Sequence, residues 1–324
     1  MTPPSGYPID LHAHSSRSDG VHEPADLVRL AAARGVRVLA LSDHDTLAGV
    51  GEALAAGERL GVRVIPAVEL NTESSWGDLH LLAYFLDPRD SALETRLRWL
   101  RENRGRRIEL MVERLGALGY PVSIDRVREI AAGGASLRSQ GPLSLGRPHL
   151  AQALVEAGHV ESYDRAFETL ISNDSPAYVQ RVGLSPLEAV QLTAEHGGVA
   201  SLAHPRTVRN LIEVLPELVN AGLAGLEVYY PSHDAAATAS LRALAQAHDL
   251  IPTGGSDFHG RGGRERALGS SYVPPESVPS LERRRIHSRP VTPAPTGPAL
   301  AIDEASSAAR RPGRSRGSPG EKIT

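Results

Sequence analysis

The chain has 324 residues, 13 histidines, no cysteine and a formal charge of −3, from 35 basic and 38 acidic side chains. Its only lysine is Lys322, so every other basic residue is arginine. These absences exclude disulfide frameworks, thiolate metal sites, cysteine nucleophiles, a P-loop lysine and Schiff-base chemistry. Histidine, carboxylate, hydroxyl and arginine remain for chemistry. At 41% hydrophobic the chain can bury a sizeable core. No apolar run approaches the ~20 residues of a membrane span, and Met1 to Pro8 lacks the basic and apolar parts of a secretory signal. The expectation is a cytoplasmic protein with no membrane association and no need for an obligate protein partner. The mild acidity argues against coating long nucleic acid by charge alone, yet admits a small anionic substrate.

The first 85 residues alternate strand and helix patterns. Ile9–Leu11 reads as a strand. Pro24 opens a helix with Leu27, Leu30 and Ala31 at helical spacing, closed by Gly35. Val36–Leu41 is a second strand, Leu47–Leu60 a second helix ended by Gly61, and Val62–Val68 a third strand. A turn around Gly77-Asp78 leads to a fourth strand, His80–Phe85. This rhythm favours a parallel sheet or barrel.

From residue 91 to residue 183 the patterns are helical: Leu93–Leu118, Ser123–Ala132, Pro148–Ala157 and Tyr163–Ile171, with a Gly/Ser-rich loop at Gly133–Gly146. This segment reads as an inserted helical cap. The rhythm resumes with helix Pro186–His196, capped by Ser185. Strand Val199–Ala203, helix Val208–Ala221, strand Gly225–Tyr229, helix Asp234–His248 and strand Leu250–Thr253 follow. Residues 288–324 contain no aromatic residue and carry six basic against three acidic side chains, and read as a disordered tail. The expected organisation is an α/β barrel from 1–90 and 184–287, a helical cap from 91–183, and the tail.

The histidines cluster beside strands. Asp10-Leu11-His12-Ala13-His14 ends the first strand, and residues i and i+2 of an extended segment share a side, so His12 and His14 can bind one metal. Asp19 sits in the following loop. Ser42-Asp43-His44-Asp45 follows the second strand and Glu69 the third. His80 stands at a strand start. His204 follows the strand after the insertion, and Asp257-Phe258-His259 follows the last strand. Most lie at C-terminal strand ends, where barrel active sites are built. Six histidines with Asp19, Glu69 and Asp257 form a nitrogen and oxygen donor set suited to Mn²⁺, Zn²⁺ or Fe²⁺, and too large for one ion. His22, His159, His196, His248 and His287 read as ordinary packed or exposed residues.

Taken together, Asp10-Leu-His-Ala-His-Ser, Ser18-Asp19-Gly20, Leu41-Ser-Asp-His-Asp-Thr46, Glu69, His80, Ala203-His-Pro205 and Gly255-Ser-Asp-Phe-His259 resemble the PHP (polymerase and histidinol phosphatase) family of metal-dependent phosphoesterases. The resemblance spans residues 9–260. It implies a distorted (β/α)7 barrel with a trinuclear metal centre; the nine donors by themselves suit two or three divalent ions, manganese foremost. His12, His14, Glu69 and Asp257 would hold one ion, Glu69, His80 and His204 a second, and Asp19, His44 and His259 a third. Asp19 and Asp43 would belong to the catalytic set, Asp43 by orienting a ligating histidine.

Within the family, Gly146-Arg-Pro-His-Leu150 and Leu226-Glu-Val-Tyr-Tyr-Pro-Ser-His233 are similar to the capped bacterial phosphatases. Those act on 3′,5′-nucleoside bisphosphates and nucleoside monophosphates, and close relatives are 5′→3′ exoribonucleases on short RNA. The stretch Arg206-Thr207 and the arginine-rich segment after His259 match less well. Metal ions lower the pKa of bound water and neutralise phosphate oxygens, so no side-chain nucleophile is required. Arg147 and His149 are expected to reach the substrate from the cap, since a guanidinium fork matches phosphate geometry, and His233 to contact substrate or donate a proton. Four rivals are histidinol-phosphate phosphatase, a polymerase proofreading module, for which no polymerase domain is seen, an amidohydrolase and a non-catalytic metal- or nucleotide-binding module. Many amidohydrolases bridge their metals with a carbamylated lysine, which this barrel lacks, and a degenerate module would be expected to have lost ligands.

Overall fold

Seven strands hydrogen-bond in chain order, β1-β2-β3-β4-β5-β6-β7, in this computed structural model. It describes residues 6–76, 79–133, 143–260 and 267–287. The strands are β1 Ile9–Ala13, β2 Val38–Leu41, β3 Arg63–Asn71, β4 His80–Tyr84, β5 Val199–Leu202, β6 Gly225–Tyr229 and β7 Ile251–Gly254. All neighbours run parallel except β4, which is antiparallel to both β3 and β5. The sheet curls into a nearly closed barrel. Where β1 ends, His14 N donates to Phe258 O at 2.9 Å and Asp257 N to His12 O at 2.8 Å. The expected distorted (β/α)7 barrel is present.

Helices α1 (Pro24–Ala33), α2 (Val50–Leu60), α7 (Pro186–Glu195), α8 (Leu211–Asn220) and α9 (Ala235–Ala247) connect the strands, and α10 (Ser277–His287) follows β7. Alternation along the strands divides the core. Leu39, Leu41, Val68, Leu70 and Leu81 pack with helix residues such as Leu27 and Ala53. The intervening Ala40, Ile65, Ala67, Leu82 and Tyr84 pack together with Val278 and Leu281 of α10. Both faces are buried, as a helix-covered sheet requires.

Between β4 and β5 lie α3 (Ser91–Ala117), α4 (Ile124–Ala131), α5 (Arg147–Glu156), α6 (Tyr163–Ala166) and a π-helical turn, Phe167–Ile171. Their apolar faces form a separate cluster that includes Ile108, Met111, Leu150, Leu154 and Ile171. Asp90 caps α3, its carboxylate accepting from Ala92 N and Leu93 N. No helix among the described residues is long and apolar enough to cross a membrane.

One sequence expectation needs correction. Glu69 lies inside β3, two residues before its end, rather than after it. His80 does begin a strand, but β4 runs backwards, and the pairing Asn71↔His80 brings its start to the same rim as the C-terminal ends of its neighbours. The Gly77-Asp78 turn, most of the Gly133–Gly146 loop and the proposed tail lie outside the described residues.

Candidate metal centre

Glu69 is the hub of the rim. It is 1% exposed, and its two oxygens face different histidines. Oε2 lies 3.1 Å from His12 Nε2, 3.1 Å from His14 Nε2 and 3.3 Å from His44 Nδ1. Oε1 lies 2.8 Å from His80 Nδ1 and 3.0 Å from His204 Nε2. A carboxylate whose oxygens point at separate donor groups is placed to bridge two ions. Burial alone would raise its pKa, but His44, His12 and His80 hold it well below the usual carboxylate range.

Asp257 Oδ1 lies 3.3 Å from both His12 Nε2 and His14 Nε2. Asp19 faces His259 Nε2 at 3.3 Å, His44 Nε2 at 3.6 Å and His14 Nδ1 at 3.8 Å. Potential ligand atoms thus gather, all within 4.8 Å of one another, in three groups: His12, His14, Glu69 and Asp257; Glu69, His80 and His204; and His14, Asp19, His44 and His259. The structure brings all nine expected donors together, and places His14 between two of the groups.

The donor set fits divalent ions. His14 is fully buried, yet among the described residues neither ring nitrogen makes a hydrogen bond. Nitrogens aimed into space shared by carboxylates are what a metal ligand requires. Burial opposes protonation of His14, but Asp257, Glu69 and Asp19 push its pKa up to about 10.

Close backbone approach builds the rim. A Cβ on Gly255 would come within 2.4 Å of His12 Cβ, so only glycine lets the Asp257–His259 segment lie against β1. Asp10 locks the same seam, its carboxylate accepting from Ser256 N and Gly269 N at 2.8 Å. His204 and Asp257 hold φ of 26° and 52°, in the left-handed region that non-glycine residues rarely occupy and that clusters at functional sites.

The other candidates separate. Asp43 does not bond a histidine. Its carboxylate accepts from Ser15 N at 2.8 Å, Ser15 Oγ at 2.6 Å and Ser18 Oγ at 2.6 Å, so it fixes the loop carrying Asp19. His149 is 1% exposed and its Nδ1 accepts from Gly146 N at 3.0 Å, closing the first turn of α5. That is a capping role in place of the expected substrate contact. Arg147 lines a cavity of about 190 Å³ between the rim and helices α3 and α5, together with Asp19, His44, His80 and His259. Its guanidinium donates to Asn173 Oδ1 at 2.7 Å and lies over the Phe167 ring. His233 Nδ1 donates to Val228 O at 2.9 Å, and burial lowers its pKa. Its ring lies 5.2 Å from that of Tyr230, whose hydroxyl donates to Asp257 Oδ2 at 2.7 Å. The described histidines expected to be ordinary stay outside the three groups: His22 stacks on Phe258, His159 bonds Pro121 O and His196 pairs with Asp90.

Sequence reading missed Glu227 and Arg104. Glu227 is fully buried; Oε1 accepts from His12 Nδ1 at 3.0 Å and Oε2 from His204 N at 2.6 Å. Arg104 lines the same cavity, donating to Leu145 O at 2.6 Å and Asp45 Oδ2 at 3.3 Å. Arg101, Arg104 and Arg107 recur every third residue along α3, a spacing that stacks side chains on one helix face. That spacing was the available signal.

The comparisons agree with this centre. The PHP domain model matches residues 10–91. The 3′,5′-nucleoside bisphosphate phosphatase of Chromobacterium violaceum is 34% identical over 88% of this chain and 99% of its own. This chain belongs to the PHP family. The 5′-3′ exoribonuclease Rnm of Escherichia coli is 31% identical over 77% of this chain and 84% of its own. A solved structure from Bifidobacterium adolescentis, assigned to the metal-dependent phosphoesterases, superposes with a TM-score of 0.77 at 32% identity, covering 87% of this chain and 97% of that one. This PHP protein is a metal-dependent phosphoric ester hydrolase.

Proposed function

We propose that this PHP enzyme releases phosphate from nucleotides, with 3′,5′-nucleoside bisphosphates and nucleoside monophosphates as its substrates and short 5′-phosphorylated RNA as an extended one. The observation that carries the reading is the cavity in which Arg104, Arg107, Arg147 and Arg181 of the cap segment face Asp19, His44, His80 and His259 of the rim. Cationic forks opposite a metal-ligand rim suit a phosphate held between them. Relatives named for nucleoside bisphosphates and RNA support the nucleotide.

The proposed ligands are the nine rim residues, grouped around Glu69, Asp257 and Asp19. Divalent ions, manganese foremost, would supply water activation near neutral pH and Lewis-acid stabilisation of phosphate oxygens when bound. Glu227 holds His12 in one tautomer by accepting its Nδ1 proton, which leaves Nε2 for ligation. Tyr230 orients Asp257. Arg147, preset by Asn173 and Phe167, would orient the phosphate at little cost in side-chain entropy. His233 remains a proposed substrate contact beside Tyr230. A panel of adenosine 3′,5′-bisphosphate, AMP, 5′-phosphorylated oligoribonucleotides and histidinol phosphate, assayed with Mn²⁺, tests the reading. Preference for histidinol phosphate would overturn it.

A further inference from the structure

A second cavity, of about 250 Å³ and mostly polar, adjoins the first, and Arg107 and Arg181 line both. It lies between the connection from β3 to β4, which contributes Glu73, and the return from the cap to β5, which contributes Tyr178 and Gln180. Arg209 closes it. The walls are tied together: Arg181 donates to Thr72 O at 3.2 Å and Gln180 Nε2 to Glu73 Oε1 at 2.9 Å.

Arg107 is 6% exposed. Its Nε donates to Val179 O at 2.7 Å and its guanidinium lies over the Tyr178 ring, so neither partner is an anion. Among the described residues no carboxylate pairs with it. Burial, then Arg181, Arg147 and Arg104, pull its pKa down to about 9, so it is still a cation at neutral pH. A buried cation crowded by like charges is costly until an anion joins it. Among the described residues Glu73 is the one acid lining the cavity, against three arginines, Arg107, Arg181 and Arg209.

We propose that this outer cavity is a second anion subsite, in which Arg107, Arg181 and Arg209 hold the phosphate of the substrate that is not being cleaved. The inference rests on the nucleotide reading above and deepens it. The metal-facing cavity takes the reacting phosphate, while the outer one selects substrates carrying another. That second phosphate is either the terminal phosphate of a bisphosphate or the internucleotide phosphate of short RNA.

Arg209 is exposed, so Arg209→Ala should fold normally. Affinities for adenosine 3′,5′-bisphosphate, AMP and the dinucleotide pApA are measured by calorimetry on metal-free protein, and KM and kcat on metal-loaded protein. Wild type should bind the bisphosphate about tenfold or more tighter than AMP, and Arg209→Ala should erase most of that difference, raising KM with little change in kcat. Arg209→Lys should restore part of it. A parallel loss on pApA assigns the pocket to any second phosphate, and a loss on the bisphosphate alone assigns it to a terminal one. Equal weakening for AMP and the bisphosphate, or no effect on either, would overturn the subsite. The binding arm reads out even if none of these compounds is hydrolysed, so failure of the nucleotide reading remains distinguishable.

Discussion

Glu227 Oε1 sits 3.0 Å from His12 Nδ1, and both side chains are fully buried. The carboxylate therefore fixes the ring that presents Nε2 to Glu69 and Asp257, while its other oxygen anchors the backbone of His204. Such carboxylate–histidine pairs raise ligand basicity. Glu227→Gln should weaken metal binding by about 10- to 100-fold with the fold intact. Metal titration followed by circular dichroism checks this; wild-type affinity in the variant would remove Glu227 from the centre.

Arg147→Ala should raise KM for nucleotide several-fold or more, while metal content stays at the wild-type level. The residue lines the cavity beside Asp19, His44, His80 and His259 but belongs to none of the three donor groups. Steady-state kinetics with metal analysis of the same sample separates the two roles. Unaltered kinetics would leave Arg147 as a brace for Asn173 and Phe167 alone.

Gly255→Ala should lose both stability and metal binding. A methyl group there meets His12 Cβ at 2.4 Å, a distance real contacts do not reach. Either β1 or the Asp257–His259 segment must shift, and both carry ligands. Thermal melts and metal stoichiometry check this, and a stable variant with full metal content would contradict it.

Asp90 caps α3 and pairs with His196 at 2.7 Å. The backbone N–H of Leu93, then His196, lower its pKa. A depressed folded-state pKa contributes stability above the unfolded value of about 3.9, and that stability is lost as pH falls through the folded value. Asp90→Ala should cost about 1 kcal/mol at pH 7, with the gap narrowing below about pH 4. Melting curves across pH test it. A constant gap would show that the carboxylate charge plays no part.

The barrel and its donors were legible because both are written locally. Alternating apolar residues mark strands, and HxH or DxH at a strand end states its geometry without knowledge of partners. His80 looked misplaced only because strand direction is a tertiary property: nothing within His80–Tyr84 shows that β4 runs antiparallel. Glu227 was hidden because a single acid inside a strand has no local pattern, and its 215-residue separation from His12 appears only on folding. The family resemblance assigns Asp43 to a ligating histidine, whereas its carboxylate turns to Ser15 and Ser18. His149 was drawn to substrate by motif likeness, while the local N–H of Gly146 claims its ring.

Glu69 is placed to bridge divalent ions, on which hydrolysis of a phosphate ester held in the cavity above it would depend. The most direct measurement is phosphate release from adenosine 3′,5′-bisphosphate by the metal-stripped protein, with Mn²⁺ added back and bound metal counted. Wild type, Glu69→Gln and His12→Ala are compared. Two or three ions per wild-type chain are expected, with activity that returns only with metal, and the variants should lose metal and at least about 10³-fold in rate. Metal-independent hydrolysis, or a Glu69→Gln enzyme with full metal content and rate, would contradict it.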